Sequence, residues 1–190
     1  MRNAPHRFAL GVALGAAMFL VWLIASGADH RSRWRTRQRM DTWWIDDPLL
    51  IGSRNPEPAD LEQLRRDGFS VLVSLLQEQQ QAPRYDISRA VALGFVRHNI
   101  PVEDFGAPTV EQLDEFITLV ADLTPGTKTI VHCEGGTGRT GTFAAAYWIA
   151  KGLTVPAAIA HIRKVRRHAV ETPEQEAVLG DFAARRTRSL

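Results

Sequence analysis

Apolar positions along the chain fall into short runs that alternate with stretches of helical spacing. Phe69 to Leu76 is nearly continuous in apolar residues, the pattern of a strand buried on both faces. Leu50-Ile51-Gly52-Ser53, the run from Phe95 to Val102 and Lys128 to Val131 predict further short strands. Between them, Pro58 to Asp67 reads as a helix stopped by Gly68, and Tyr85 to Leu93 as a short helix stopped by Gly94. Thr109-Val110-Glu111-Gln112 has the form of a capping box. The helix it opens runs to Leu123 and places Val110, Leu113, Phe116, Ile117 and Val120 on one face. A mostly apolar stretch from Thr142 to Ala150 predicts a buried helix. Thr154-Val155-Pro156 starts another, running to about Arg167 with Ala158, Ile159, Ile162 and Val165 inward. Trp43-Trp44 is expected to pack on the domain, with a place at the membrane headgroups as the alternative, Gln77 to Pro83 to form a polar surface turn, and Arg163, Lys164, Arg166 and Arg167 to face mainly solvent, with some of them able to border a phosphate entrance.

The first forty residues break this pattern. Phe8 to Ala28 is a 21-residue run without a charge, long enough to cross a bilayer, flanked by Arg2 and Arg7 before it and by five arginines at 31, 33, 35, 37 and 39 behind it. The heavier positive flank predicts a single-pass anchor with the following domain in the cytoplasm. The alternative is a signal peptide cleaved near Ser26-Gly27-Ala28, with export of the remainder. The organisation expected is therefore an anchor at 1–28, an arginine-rich juxtamembrane linker at 29–40 and a globular domain at 41–190.

Charge follows the same division. The whole chain carries +2, but residues 1–40 hold seven of the 23 Lys+Arg and one of the 21 Asp+Glu. Residues 41–190 hold the other 16 and 20, a net of −4, which does not mark a nucleic-acid binder. A single cysteine excludes an internal disulfide framework.

That cysteine lies in His132-Cys133-Glu134-Gly135-Gly136-Thr137-Gly138-Arg139-Thr140-Gly141, between a strand and a helix. Five residues separate Cys133 from Arg139, and three of them are glycine. A glycine-rich turn opening a helix aims backbone N–H groups and the positive end of the helix dipole at one point, which makes an anion site. Arg139 adds a planar fork suited to phosphate oxygens, and the same dipoles stabilise a thiolate. An anion cradle with a nucleophile at its floor is suited to attack on phosphorus. A nucleotide P-loop does not fit, because its first glycine would fall at Cys133 and its lysine is replaced by Arg139. A buried structural cysteine would leave the glycines and Arg139 unexplained.

His-Cys, five residues, then Arg-Thr-Gly resembles the signature of the cysteine-dependent protein tyrosine phosphatases, and of their small atypical dual-specificity branch in particular. The likeness extends from about Asp41 to the end of the chain. It implies an α/β fold with a central, mostly parallel sheet of four or five strands flanked by helices, and the site at the C-terminal end of the Lys128–Val131 strand. Pro101, two residues, Asp104, three residues, Pro108 resembles the general-acid loop of that family, with Glu103 as the rival acid. The roles implied are Cys133 as nucleophile, Asp104 as acid and then base, and the N–H groups of Glu134, Gly135, Gly136, Thr137, Gly138 and Arg139 with the Arg139 fork as phosphate ligands. His132 would orient the loop, Thr140 would donate to the thiolate, and Glu171 or Gln175, in Val170-Glu171-Thr172-Pro173-Glu174-Gln175, would position the hydrolytic water. Glu134 is expected to stay near the phosphate or to turn outward and pair with one of Arg163 to Arg167. No metal or other cofactor is expected, since donors already neutralise the phosphate. The substrate expected is a phosphorylated protein, phosphotyrosine favoured, with an inositol phosphate or phosphoinositide as the alternative. A non-catalytic reader of phosphorylated residues is the alternative of another class.

Overall fold

The computed structural model describes residues 40–188. The expected membrane span, most of the linker and the last two residues lie outside the described residues. Among the described residues no helix is long and apolar enough to cross a membrane.

Five strands form one sheet in the order β1-β2-β5-β3-β4: β1 Thr42–Asp46, β2 Leu50–Ser53, β3 Phe69–Leu76, β4 Val96–Val102 and β5 Lys128–His132. All pairs are parallel except β1 with β2. β5 is central, with Ser53 of β2 and Ser74 of β3 both in register with His132. Six helices complete the domain: α1 Pro58–Arg66, α2 Ile87–Ala92, α3 Val110–Ala121, α4 Gly138–Ala150, α5 Val155–Val165 and α6 Pro173–Arg188.

Strand alternation divides the core into two. Val71, Val73, Leu75 and Val131 face one way, onto Leu113, Phe116, Phe143, Ile162, Leu179 and Phe182 of α3 to α6. Leu72 and Ile130 face the other way, onto Leu61 and Leu64 of α1 and Ala90 of α2. With layers on both faces, β5 is buried from Thr129 to His132, and a parallel sheet of this kind places its site in the loop beyond the C-terminal end of the strand.

Four expectations need correction. Trp43-Trp44 does pack on the domain, but as part of an antiparallel edge strand, β1, whose short length and polar neighbours gave little alternation. Val165 is 52 % exposed rather than inward, because α5 ends there and Arg166 turns to extended backbone. Residues 77–83 are no free surface turn: Gln81 and Ala82 contact functional side chains, as the site geometry shows. The Tyr85–Leu93 helix is shorter than expected, starting at Ile87, with the Asp86 carboxylate accepting from the N–H groups of Ser88 and Arg89.

Candidate active site

Cys133 directly follows β5 and is 3 % exposed, its Sγ accepting the Gly136 N–H at 3.2 Å. α4 begins five residues later at Gly138, so the loop between strand and helix is short, and its Gly136 amide is the one bonded to the sulfur. Gly136 has φ +70, a conformation that glycine adopts without a steric penalty.

Arg139 is buried and bridges three segments. Its Nη1 donates to the Val102 carbonyl at 2.9 Å, and its Nη2 donates both to Gln81 Oε1 at 2.9 Å and to Asp104 Oδ1 at 2.6 Å. Asp104 thus stands over the loop, on the chain just past β4, while its side chain remains 40 % exposed. A cavity of about 210 Å³ is lined by Asp104, Phe105, Cys133, Arg139, Glu171 and Gln175 with loop residues Glu134, Gly135 and Gly138. Glu103, the rival acid, is not among the residues lining it. Thr137 turns its hydroxyl to the Gly135 carbonyl at 3.3 Å. Gln175 is buried; it accepts the Glu171 N–H at 2.8 Å and donates to the Gly106 carbonyl at 2.9 Å, tying the start of α6 to the Asp104 loop.

His132 is enclosed. Arg97 Nε donates to the Tyr85 hydroxyl at 3.2 Å, which leaves the phenolic hydrogen for His132 Nε2 at 3.0 Å. Nδ1 then carries the ring proton and faces the Cys133 carbonyl at 3.4 Å. Burial pushes the imidazole down to about 3, and the charges of Arg97 and Arg139 act in the same direction against the opposing Cys133 carbonyl. The ring is therefore a neutral strut for the loop.

Two expectations about individual side chains do not hold. The Thr140 hydroxyl is buried and has no hydrogen-bond partner among the described residues, so it does not donate to the thiolate. Glu134 pairs with neither Arg163 nor its basic neighbours: its carboxylate accepts from Asn55 Nδ2 at 2.8 Å and pairs with Arg84. Burial pushes the Glu134 carboxyl up, but Asn55 and Arg84 outweigh it and hold the group below its ordinary value. Of the basic residues expected mainly in solvent with some at the phosphate entrance, Arg166 reaches the loop, and both it and the exposed Arg163 are tied down. Arg163 donates to the Ala169 and Val170 carbonyls, and Arg166 to Asp41 and the loop.

Asn55, Gln81 and Arg84 are the residues that sequence reasoning missed. Asn55 is fully buried, and its Oδ1 accepts the Arg84 N–H at 3.2 Å while its own N–H donates to the Glu134 carbonyl at 3.0 Å. Nothing local distinguishes a lone asparagine after a strand or one glutamine in a glutamine-rich turn. Among the described residues no group of three His, Cys, Asp or Glu side chains could hold a metal ion.

A mostly parallel sheet flanked by helices, with a Cys-(five residues)-Arg loop at the C-terminal end of its central strand and an aspartate held over that loop, defines the cysteine-based small dual-specificity phosphatases. The chain belongs to this class: the family model described as "Tc-R-P: Polymorphic toxin system, DSP-PTPase phosphatase" matches residues 50–153. It is similar to the phosphatidylglycerophosphate phosphatase PTPMT2 of Arabidopsis thaliana, at 28 % identity over 146 residues, covering 74 % of this chain and 63 % of the relative. An uncharacterised protein of Methanocaldococcus jannaschii is 36 % identical over 89 residues, 46 % of this chain and 59 % of its own length. The chain thus spans about three-fifths of these two curated relatives. Among solved structures, Tk-PTP in its active form is similar with a TM-score of 0.71 and 32 % identity, over 76 % of this chain and 97 % of that one. PTPMT1 in complex with PI(5)P shares the fold, with a TM-score of 0.70 at 21 % identity over 79 % and 99 % of the two chains.

Proposed function

We propose that this phosphatase hydrolyses phosphomonoesters through a cysteinyl-phosphate intermediate formed on Cys133. The observation that carries the reading is the convergence of Cys133 Sγ, the buried Arg139 fork and Asp104 on one cavity. The Cys133 sulfur attacks phosphorus, the S–P bond forms, and the bond to the ester oxygen breaks as protonated Asp104 gives that oxygen its proton. Loop N–H groups and Arg139 take up the charge developing on the remaining oxygens. Water then attacks phosphorus, Asp104 accepts its proton, and the S–P bond breaks to release phosphate and the thiolate. Glu171 and Gln175 border the cavity where that water would stand.

Phosphotyrosine in a protein is the substrate favoured. The loop's variable positions carry no cation, and Phe105, 69 % exposed, offers an aromatic edge beside Asp104. A phospholipid or inositol-phosphate substrate is the second reading, supported by the likeness to PTPMT2. The full chain is to be assayed against phosphotyrosine peptides, phosphatidylglycerophosphate and inositol phosphates, beside Cys133→Ser and Asp104→Asn. Cys133→Ser abolishes turnover yet still binds phosphate; Asp104→Asn slows alkyl esters by about 10²- to 10⁴-fold and nitrophenyl phosphate far less. Wild-type turnover by Cys133→Ser rules out the mechanism, and a lipid or inositol phosphate outrunning every phosphotyrosine peptide rules out the favoured substrate.

The uncharged run at 8–28 with arginines behind it supports a membrane anchor that leaves residues 41–190 on the cytoplasmic side. Protease added to intact spheroplasts should spare the domain; its digestion from outside would reverse this orientation.

A further inference from the structure

The loop's donors face the phosphate site only if something holds the other side of each peptide. A trans peptide is planar, so a carbonyl fixed on the outside of the loop turns the next residue's N–H to the opposite side. Three consecutive carbonyls are fixed in this way by donors from outside the loop. The Glu134 carbonyl accepts the Asn55 N–H at 3.0 Å, the Gly135 carbonyl accepts Arg166 Nη2 at 2.9 Å, and the Gly136 carbonyl accepts the buried Trp43 Nε1 at 3.1 Å. Their peptide units carry the N–H groups of Gly135, Gly136 and Thr137, and that of Gly136 reaches Cys133 Sγ.

Arg166 is held in turn. Its Nη1 and Nη2 meet Asp41 Oδ1 and Oδ2 at 2.6 and 2.9 Å, while Nε and Nη2 reach Thr137 Oγ1 at 3.2 and 3.1 Å. Such a two-pronged pair fixes the plane of the guanidinium as well as its position. The Trp43 ring lies so close to β2 that a Cβ on Gly52 would sit 2.5 Å from it and 3.0 Å from the Thr140 methyl. Gly135 and Gly136 have no side chains with which to fix themselves, so their backbone freedom has to be removed from outside.

We propose that Trp43 and the Asp41–Arg166 pair are positioning residues for the phosphate-binding loop, an inference that rests on the phosphatase reading above. All three lie outside residues 50–153, which the family model covers. They act through different peptides. Arg166 sets the unit whose N–H stabilises the sulfur. Trp43 sets the next unit, which serves the bound oxyanion.

The test uses the full chain with tungstate as probe, measuring its Kd by calorimetry, kcat/KM for nitrophenyl phosphate, the rate of Cys133 alkylation by iodoacetamide, and the thermal midpoint. Trp43→Phe keeps the ring and loses the donor; Arg166→Lys keeps a cation for Asp41 and loses the fork; Asp41→Asn weakens the pair. Trp148→Phe is the control, since that indole donates to the Ile45 carbonyl at 3.0 Å, away from the loop. Trp43→Phe and Arg166→Lys should each weaken tungstate binding about 5- to 10-fold and lower kcat/KM in proportion, the effect of one net hydrogen bond. Asp41→Asn should do so by about 2- to 3-fold. Alkylation should slow in Arg166→Lys and stay unchanged in Trp43→Phe. The proposal is overturned if Trp43→Phe binds tungstate within twofold of wild type, or if Trp148→Phe weakens it equally. Should either loop variant fail to fold, as its thermal midpoint would show, the Asp41→Asn comparison decides. A wild-type chain that shows these tungstate losses in its variants but turns over no phosphomonoester refutes the phosphatase reading and leaves this one standing.

Discussion

His132 illustrates how a residue at the start of a signature can serve by not titrating. Its folded-state value of about 3 lies below the ordinary 6.5, so between those two values the unfolded chain binds a proton that the folded domain does not. Stability therefore falls as pH is lowered through that window, with a slope from this group of at most about 1.4 kcal/mol per pH unit, and is unaffected by it above 6.5. Ring-proton NMR should show no His132 titration from pH 5 to 8; a midpoint near 6.5 would contradict the enclosed, neutral ring. Sequence alone placed His132 beside Cys133 and assigned it an orienting role. The source of its neutrality was not legible, because Tyr85 and Arg97 come from another part of the chain and meet it only across the sheet. Glu134 is similar: the residue was visible, but its partners Asn55 and Arg84 were not.

Elements with local signals were the most legible. The capping box of α3 forms as read, with Thr109 Oγ1 accepting the Gln112 N–H at 3.2 Å and Gln112 Oε1 accepting the Thr109 N–H at 2.9 Å. Gln112 also donates to the Pro101 carbonyl at 2.6 Å, fixing where the Asp104 loop begins, which no spacing could announce. The loop between β5 and α4 was legible as a tight strand-to-helix turn from its glycines, but the glycines differ in what they do. At Gly136 a Cβ would lie 2.5 Å from the Ser53 carbonyl carbon and 2.6 Å from its oxygen, with φ already at +70. These are backbone atoms of β2, so they cannot step aside. At Gly135 a Cβ would meet nothing within 4 Å. Urea unfolding should therefore show Gly136→Ala destabilised by more than about 2 kcal/mol and Gly135→Ala by no more than about 0.5 kcal/mol. Equal losses would mean that the two glycines are not distinguished by their contact with β2.

Across the whole domain, the fold was legible because the signature's resemblance implied a mostly parallel sheet flanked by helices, and the alternation of buried strands with amphipathic helices along the chain agrees with it. Edge strand β1 escaped because its burial alternates over only five residues and its partner is antiparallel. The connections that carry function run between segments far apart in sequence. Asn55 reaches the loop and the 82–84 segment, Trp43 reaches Gly136, and Gln175 reaches Gly106. Arg139 gathers the most. It joins the end of β4 at Val102, the glutamine-rich turn at Gln81 and the loop of Asp104, with Nη2 serving both side chains at once. Three of the five guanidinium N–H donors are thus engaged by the protein itself, so the plane that an arriving oxyanion meets is set before it binds. The cost of ordering that side chain is met when the domain folds and not each time a substrate binds.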